Sequence, residues 1–188
     1  MPTSMLFKVS GGLSVLCGLL IAFDKLVPDT FLVSTLGLSA ALLGLFMLTA
    51  VWLRQRAGAG GLGDVGYLLN TVGLALMVGV SFLFNYAFPH LTEASSQAFF
   101  ASPGWTMVRV SYGLYAVGVA LFGWAIWRGG VFPRAAALLY VGGFVGAYLG
   151  FAFGLPQAVD TWCSVVAAIA IVWLGLRLAS EERTPLVA

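Results

Sequence analysis

The chain is poor in charge, and that scarcity decides its solvent. Of its 188 residues only 9% are charged, against 61% hydrophobic. A soluble domain carries about 25% charged residues. A water-soluble fold of this length cannot hide so much apolar surface, so the solvent is lipid. The net charge of +2 is small and scattered, which argues against nucleic acid as a partner.

Chemistry-bearing residues are as scarce. His90 is the only histidine, and it follows Pro89 in a connector rather than lying at membrane depth. That speaks against a transmembrane haem, whose axial ligands are usually histidine or methionine at that depth. One histidine, two distant cysteines and scattered carboxylates make no zinc set. Cys17 and Cys163 both lie in apolar runs and read as small buried residues rather than a disulfide. Residues 58–63 are rich in glycine but lack the lysine and the serine or threonine of a phosphate cradle. No Ser-His-Asp grouping falls at one depth. No cofactor and no metal is expected, and without an acid–base pair the sequence leans away from an enzyme.

No cleavable leader is expected either. Lys8 followed by an apolar run over 11–23 resembles a signal peptide, but no small-x-small cleavage site follows. Leu16 before Cys17 spoils a lipoprotein cleavage box. The segment is expected to be a helix of the mature chain.

What the sequence does have is long apolar runs. A spanning helix needs about 20 mostly apolar residues. Six segments qualify, at about 5–27, 31–53, 65–87, 105–127, 135–155 and 158–178. In lipid every backbone N–H and C=O must be satisfied within the segment, so each is expected to be a helix. The fold class is therefore all-α, a polytopic membrane protein of one domain over 1–188. Connectors at 27–30, 128–134 and 156–157 are tight. The connector at 54–64 is expected to be flexible, and that at 88–104 is the longest loop. Phe99 and Phe100 in that loop can dip into the membrane interface. A short polar tail is expected over 179–188.

Basic residues orient the chain. Lys8, Arg54, Arg56, Arg128, Arg134, Arg177 and Arg183 fall on one side, Lys25 and Arg109 on the other. The positive-inside rule places the first group, and both termini, in the cytoplasm. A bacterial or archaeal cytoplasmic membrane is the expected location.

A helical hairpin is written three times, at about 5–54, 65–128 and 134–178. Gly18, Phe23 and Pro28 recur with the same spacing as Gly79, Phe84 and Pro89 and as Gly146, Phe151 and Pro156. Trp52 with Arg54, Trp127 with Arg128, and Trp173 with Arg177 mark the other ends. Gly37, Leu38, Ala40, Leu45 and Phe46 match Gly113, Leu114, Ala116, Leu121 and Phe122. Helix-end preferences alone can place each residue near a terminus. They do not require identical spacing three times. All three hairpins run the same way, so the implied axis lies along the membrane normal.

Around Arg128 the sequence reads Leu-Phe-Gly-Trp-Ala-Ile-Trp-Arg-Gly-Gly-Val-Phe-Pro-Arg, then Ala-Ala-Ala-Leu-Leu-Tyr-Val-Gly-Gly. This connector resembles a signature of uncharacterised bacterial six-helix membrane proteins of a domain-of-unknown-function family. The resemblance covers about 25 residues and implies the six-helix fold. It carries no activity.

Two sets of residues are candidate sites. Gly142, Gly146, Gly150 and Gly154 recur every fourth residue in the fifth segment and form a stripe against which a second backbone can approach. It would pack a helix of the same chain or, alternatively, a homodimer or another membrane protein. The outer ends of the segments collect Asp24, Lys25, Asn85, His90, Glu93, Arg109 and Asp160. Arg109 lies inside the fourth segment, where a charge normally finds a partner. Asp160 is the first expected partner, Asp24 the second, and an anionic ligand at the same place the third. The alternative is a set of separate charges solvated by headgroups. Tyr112 and Tyr115, a turn below Arg109, would line a lipid-tail or quinone-sized cleft if they do not simply pack in the core. Ser14, Asn70, Thr71 and Ser81 are expected to bond across helices.

Two functions fit these readings. The first, and the one the sequence favours because the segments lack the buried ionisable residues that usually mark transport pathways, is a non-catalytic membrane module that packs against another membrane protein through the glycine stripe. The second is a small carrier or receptor that binds a lipid-like or small polar molecule among the outer helix ends.

Overall fold

The computed structural model describes residues 3–28 and 30–180. The regular structure of these residues is helical throughout: α1 (Thr3–Leu26), α2 (Phe31–Phe82), α3 (Glu93–Phe100), α4 (Pro103–Gly129), α5 (Arg134–Ala152) and α6 (Gln157–Ser180). A π turn, Leu83–Ala87, and a 3₁₀ turn, Phe88–His90, continue α2. Five helices are long and apolar enough to cross a membrane, and the chain is a multi-pass membrane protein in contact with lipid.

One of the five, Phe31–His90, runs for 60 residues, enough for two crossings. Gly60, at φ 63° and ψ −178°, divides it. Positive φ with an extended ψ is a conformation that essentially only glycine adopts. The arms on either side, 31–59 and 61–82, fold back on each other. Trp52 Nε1 donates to Asp64 Oδ1 at 2.8 Å, the Thr49 and Tyr67 hydroxyls meet at 3.1 Å, and those of Thr35 and Tyr86 at 2.7 Å. Partner numbers that fall on one arm as they rise on the other describe an antiparallel pair. The chain therefore makes six passes through the bundle.

Two connectors differ from the sequence expectation. The flexible stretch expected at 54–64 is helical on both sides of a single reversing residue. Gln55, Arg56, Ala57 and Ala59 are good helix formers, and the Trp52–Asp64 bond ties the arms together. The loop expected at 88–104 contains α3. Thr92 caps α3 by accepting from the Ser95 N–H at 3.2 Å, and Ser102 caps α4 by accepting from the Gly104 N–H at 3.1 Å. Phe99 and Phe100 interlock with Phe88 and Trp105, with ring centroids 5.1 Å apart for Phe88–Phe99 and 5.0 Å for Phe100–Trp105.

Each pass lies against the next in the chain, and α6 closes the ring against α1. Lipid tails are as apolar as leucine, so helices gain little by hiding apolar surface from lipid and associate by close packing instead. Small residues supply that packing. On the α1–α6 seam, a Cβ at Gly11 would lie 2.7 Å from the Gly175 carbonyl oxygen, and one at Gly18 would lie 2.7 Å from that of Ala168. Gly66 and Gly73 meet the backbone of α4 at Phe122 and Tyr115.

The stripe expected on α5 is only partly realised. Gly146 and Gly150 do face α6, against Cys163 and Val159, but Gly142 is exposed with open space around it. Gly154 lies beyond the helix end, at φ 61°. The packing position is instead Gly143, whose Cβ would stand 2.5 Å from the Ala167 nitrogen. The reason is geometric. At 3.6 residues per turn, a four-residue spacing drifts by about 40° per step, so 142 and 154 are about 120° apart. The spacing 143, 146, 150 keeps to one face.

The three glycines of the apparent repeat have different surroundings: Gly18 and Gly146 meet α6, and Gly79 faces open space. Basic residues gather at one end of the bundle. Arg54 lies over the Phe7 ring at 5.5 Å, Arg56 over Trp52 at 5.9 Å and Arg134 over Trp127 at 5.7 Å. That end is sealed by the buried side chains of Val51, Ile126, Phe132, Ala136, Leu174 and Leu178. Arg183 and the tail over 181–188 lie outside the described residues.

Candidate functional site

Towards the other end the ring opens around a cavity of about 890 Å³. Its walls follow helical spacing. Helix α1 contributes Cys17, Ile21, Asp24 and Lys25, α5 contributes Tyr140, Phe144, Tyr148 and Phe151, and α6 contributes Gln157, Asp160, Thr161 and Ser164. Residues at i, i+3, i+4 and i+7 share one face of a helix, so each helix turns one stripe inward. The first arm of α2 adds Gly37, Ala41, Gly44 and Leu48, the second adds Leu74 and Met77, and the π turn adds Phe84 and Asn85. Tyr112 and Tyr115 come from α4.

The cavity is amphipathic along its length. Its deep end is made by Met47, Leu48, Leu74, Phe144 and Ile171, with Tyr140 at the floor. Tyr140 is fully buried and its hydroxyl accepts from Asn70 Nδ2 at 2.7 Å. The Asn70 side-chain oxygen, Oδ1, has no hydrogen-bond partner among the described residues. Cys17 is buried beside this floor and its thiol donates to the Ala40 carbonyl at 3.1 Å. Both cysteines are free thiols. The wide end carries Asp24, Lys25, Asn85, Gln157 and Asp160. There Lys25 Nζ donates to Asp160 Oδ2 at 2.9 Å, with both side chains about one-third exposed.

One wall of the wide end is aromatic. The Tyr112 and Phe151 rings stack at 4.2 Å with planes 17° apart, and Tyr148 lies parallel to Tyr112 at 6.4 Å. Deeper in, Tyr115 meets Phe144 edge-on at 5.5 Å. The π turn places Phe84 and Asn85 at the rim while Tyr86 turns to Thr35.

Of the polar residues collected from the outer ends and the tyrosine pair below them, Asp24, Lys25, Asn85, Tyr112, Tyr115 and Asp160 line this one cavity, and His90 and Glu93 lie outside its wall. So does Arg109. It is exposed and is absent from the cavity wall, so its expected ion pair with Asp160 is replaced by that of Lys25. The arrangement of the ring explains the exchange. Helix α6 packs on α1 and α5, which brings Lys25 rather than Arg109 to Asp160. Arg109 lies about 9 Å along α4 from its start, within reach of water for a long guanidinium side chain.

The sequence reading missed Lys25 as the partner of Asp160, and Tyr140, Tyr148 and Met47 as wall residues. A signal was available for the tyrosines, since positions 140, 144, 148 and 151 fall on one helical face. Among the described residues no group of three His, Cys, Asp or Glu side chains is placed to hold a metal ion. No family model, no curated protein and no solved structure matches this chain.

Proposed function

We propose that the chain is a small membrane-embedded carrier or receptor that holds one amphipathic molecule in its central cavity. The observation that carries this reading is the cavity itself. At about 890 Å³ it lies within the range of small-molecule sites, roughly 300–1,000 Å³. Its apolar depth suits a hydrocarbon or ring body, and its polar rim suits a headgroup. The sealed basic end fits entry from the opposite side. The packing-module reading is less well supported, because Gly143, Gly146 and Gly150 are already occupied by α6 of the same chain.

The test is extraction from purified protein in lipid nanodiscs, followed by mass spectrometry. A bound molecule should be recovered in stoichiometric amount from the native chain. It should be lost in Ala147→Trp, which fills the cavity from the α5 wall, while helical content is kept. Recovery of only bulk lipid from both proteins would count against the reading.

The basic end is assigned to the cytoplasm by the positive-inside rule, in the cytoplasmic membrane of a bacterium or archaeon. Thiol labels at Gly60 and Ser95 should then react from opposite sides, Gly60 from the cytoplasm. The three hairpins would be copies of one ancestral unit, related by an axis along the membrane normal. Superposing 11–54, 72–128 and 135–177 should bring Pro28, Pro89 and Pro156 together; unrelated crossing angles would end that idea.

A further inference from the structure

We infer that the molecule held in the cavity is a neutral lipophile with a carbonyl oxygen on its leading end, received by the hydroxyls of Tyr115 and Tyr140; this rests on the binding reading above. The first observation is a division among the tyrosines. Tyr67 and Tyr86 lie outside the cavity wall and spend their hydroxyls within the protein, on Thr49 and Thr35. Tyr112, Tyr115, Tyr140 and Tyr148 line the cavity. Among the described residues, the hydroxyls of Tyr112, Tyr115 and Tyr148 have no hydrogen-bond partner, and that of Tyr140 has one. A tyrosine O–H turned away from water usually finds a partner. The phenols without a partner in the protein are the ones that face the cavity.

The second observation concerns what each group still offers. Asn70 Nδ2 donates to the Tyr140 oxygen at 2.7 Å, which occupies a lone pair and leaves the phenol proton unspent. The Cys17 thiol beside it is spent on the Ala40 carbonyl. Tyr115 and Tyr140 stand edge-on to the same ring, Phe144, at 5.5 and 5.2 Å. They lie within electrostatic reach of each other and of Cys17. The deep end therefore presents two neighbouring O–H donors.

The third observation is the surroundings of those donors. Met47, Leu74 and Ile171 make the adjoining wall apolar, so a polar group left unpaired there is costly. A ligand hydroxyl or amine would bring a further proton to be satisfied. A carbonyl oxygen brings none, and its two lone pairs can accept from both phenols. A ketone on a ring body and the ester carbonyl of a lipid both have this chemistry.

The experiment uses the full chain in lipid nanodiscs and compares tritiated fluorenone with fluorene, which has the same ring frame without the carbonyl. Equilibrium dialysis against empty nanodiscs removes the partition into lipid. Fluorenone should bind the native chain about tenfold more tightly than fluorene. Tyr115→Phe and Tyr140→Phe should each lower that preference about threefold, and the double variant should abolish it with fluorene binding unchanged. Tyr115→Phe breaks no hydrogen bond among the described residues, which keeps the test valid if Tyr140→Phe folds poorly. Competition then identifies the source of the carbonyl. Displacement of fluorenone by dihexanoyl-phosphatidylcholine points to a lipid ester, whereas displacement only by duroquinone points to a free ring ketone. Fluorene binding as tight as fluorenone, with both blocked by Ala147→Trp, would overturn the carbonyl selection and leave the binding reading intact. So would a preference unchanged in the double variant. Failure of both probes would overturn the selection, and with no molecule recovered by extraction it would remove the binding reading as well.

Discussion

Gly142 and Gly143 are neighbours on α5, and alanine at the two positions should have opposite effects. At Gly142 the new methyl meets open space. Gly in a helix interior costs about 0.5–1 kcal/mol relative to Ala, so Gly142→Ala should stabilise by about that amount. At Gly143 the new Cβ would stand 2.5 Å from the Ala167 nitrogen and 2.7 Å from its Cα and Cβ. Ordinary carbon contacts begin near about 3.5 Å, so α5 and α6 must part by about 1 Å. Overpacking of that kind costs about 1–3 kcal/mol. The helix-propensity gain is common to both variants and cancels in their difference, which should equal that overpacking cost. Reversible unfolding in mixed micelles, followed by tryptophan fluorescence, measures it. If Gly142→Ala destabilises as much as Gly143→Ala, the reasoning fails. The face of α5 bearing Gly142 would then be covered by something outside this chain.

Tyr140→Phe removes the one hydrogen-bond partner of the Asn70 side-chain amide among the described residues and should cost about 1–2 kcal/mol in the same assay. Adding Asn70→Leu should recover part of that loss, and a double variant no better than the single would refute the pairing. Lys25→Met should lower stability by under about 1 kcal/mol, as suits an ion pair about one-third exposed, and Arg109→Met should change it less. The reverse order of midpoints in a thermal scan would restore the Arg109 pairing. Gly60→Ala should cost about 1–3 kcal/mol because it forces a side chain into a glycine-only conformation. An unchanged midpoint there would mean that the reversal does not depend on that angle.

The apolar runs made the helical architecture legible, because lipid leaves the backbone no other way to satisfy itself. The polar residues at the outer ends were legible as a group for a similar reason: charge avoids the hydrocarbon and collects where water begins. Their partners were not legible. Asp160 was matched with Arg109 by level alone, and level says nothing about which helices touch. Closure of α6 against α1 rests on Gly11 and Gly18, on one face of α1, which meet Gly175 and Ala168 of α6, and nothing in the sequence pairs two helices so far apart in the chain. The depth of the cavity was hidden for the same reason. Tyr140 and Met47 look like ordinary core residues until the ring is closed around them. At Gly142 the failure was of a different kind, since a period of four was read where the helix turns every 3.6 residues.

The π turn at Leu83–Ala87 has a consequence for how this bundle can vary over evolution. A π turn holds one more residue than the α turn that it replaces. In sequence terms it reads as a one-residue insertion retained in place. Deleting one residue there would regularise the helix without breaking it. The wider turn takes up its extra residue locally, so everything beyond would keep nearly its present orientation. Pro89 and the aromatic cluster that follows would stay in place, and only the side chains that the turn itself supplies, Asn85 and Tyr86 among them, would be reassigned. A homologue shorter by one residue at this point would therefore keep the same six passes and change the rim only where the turn meets it.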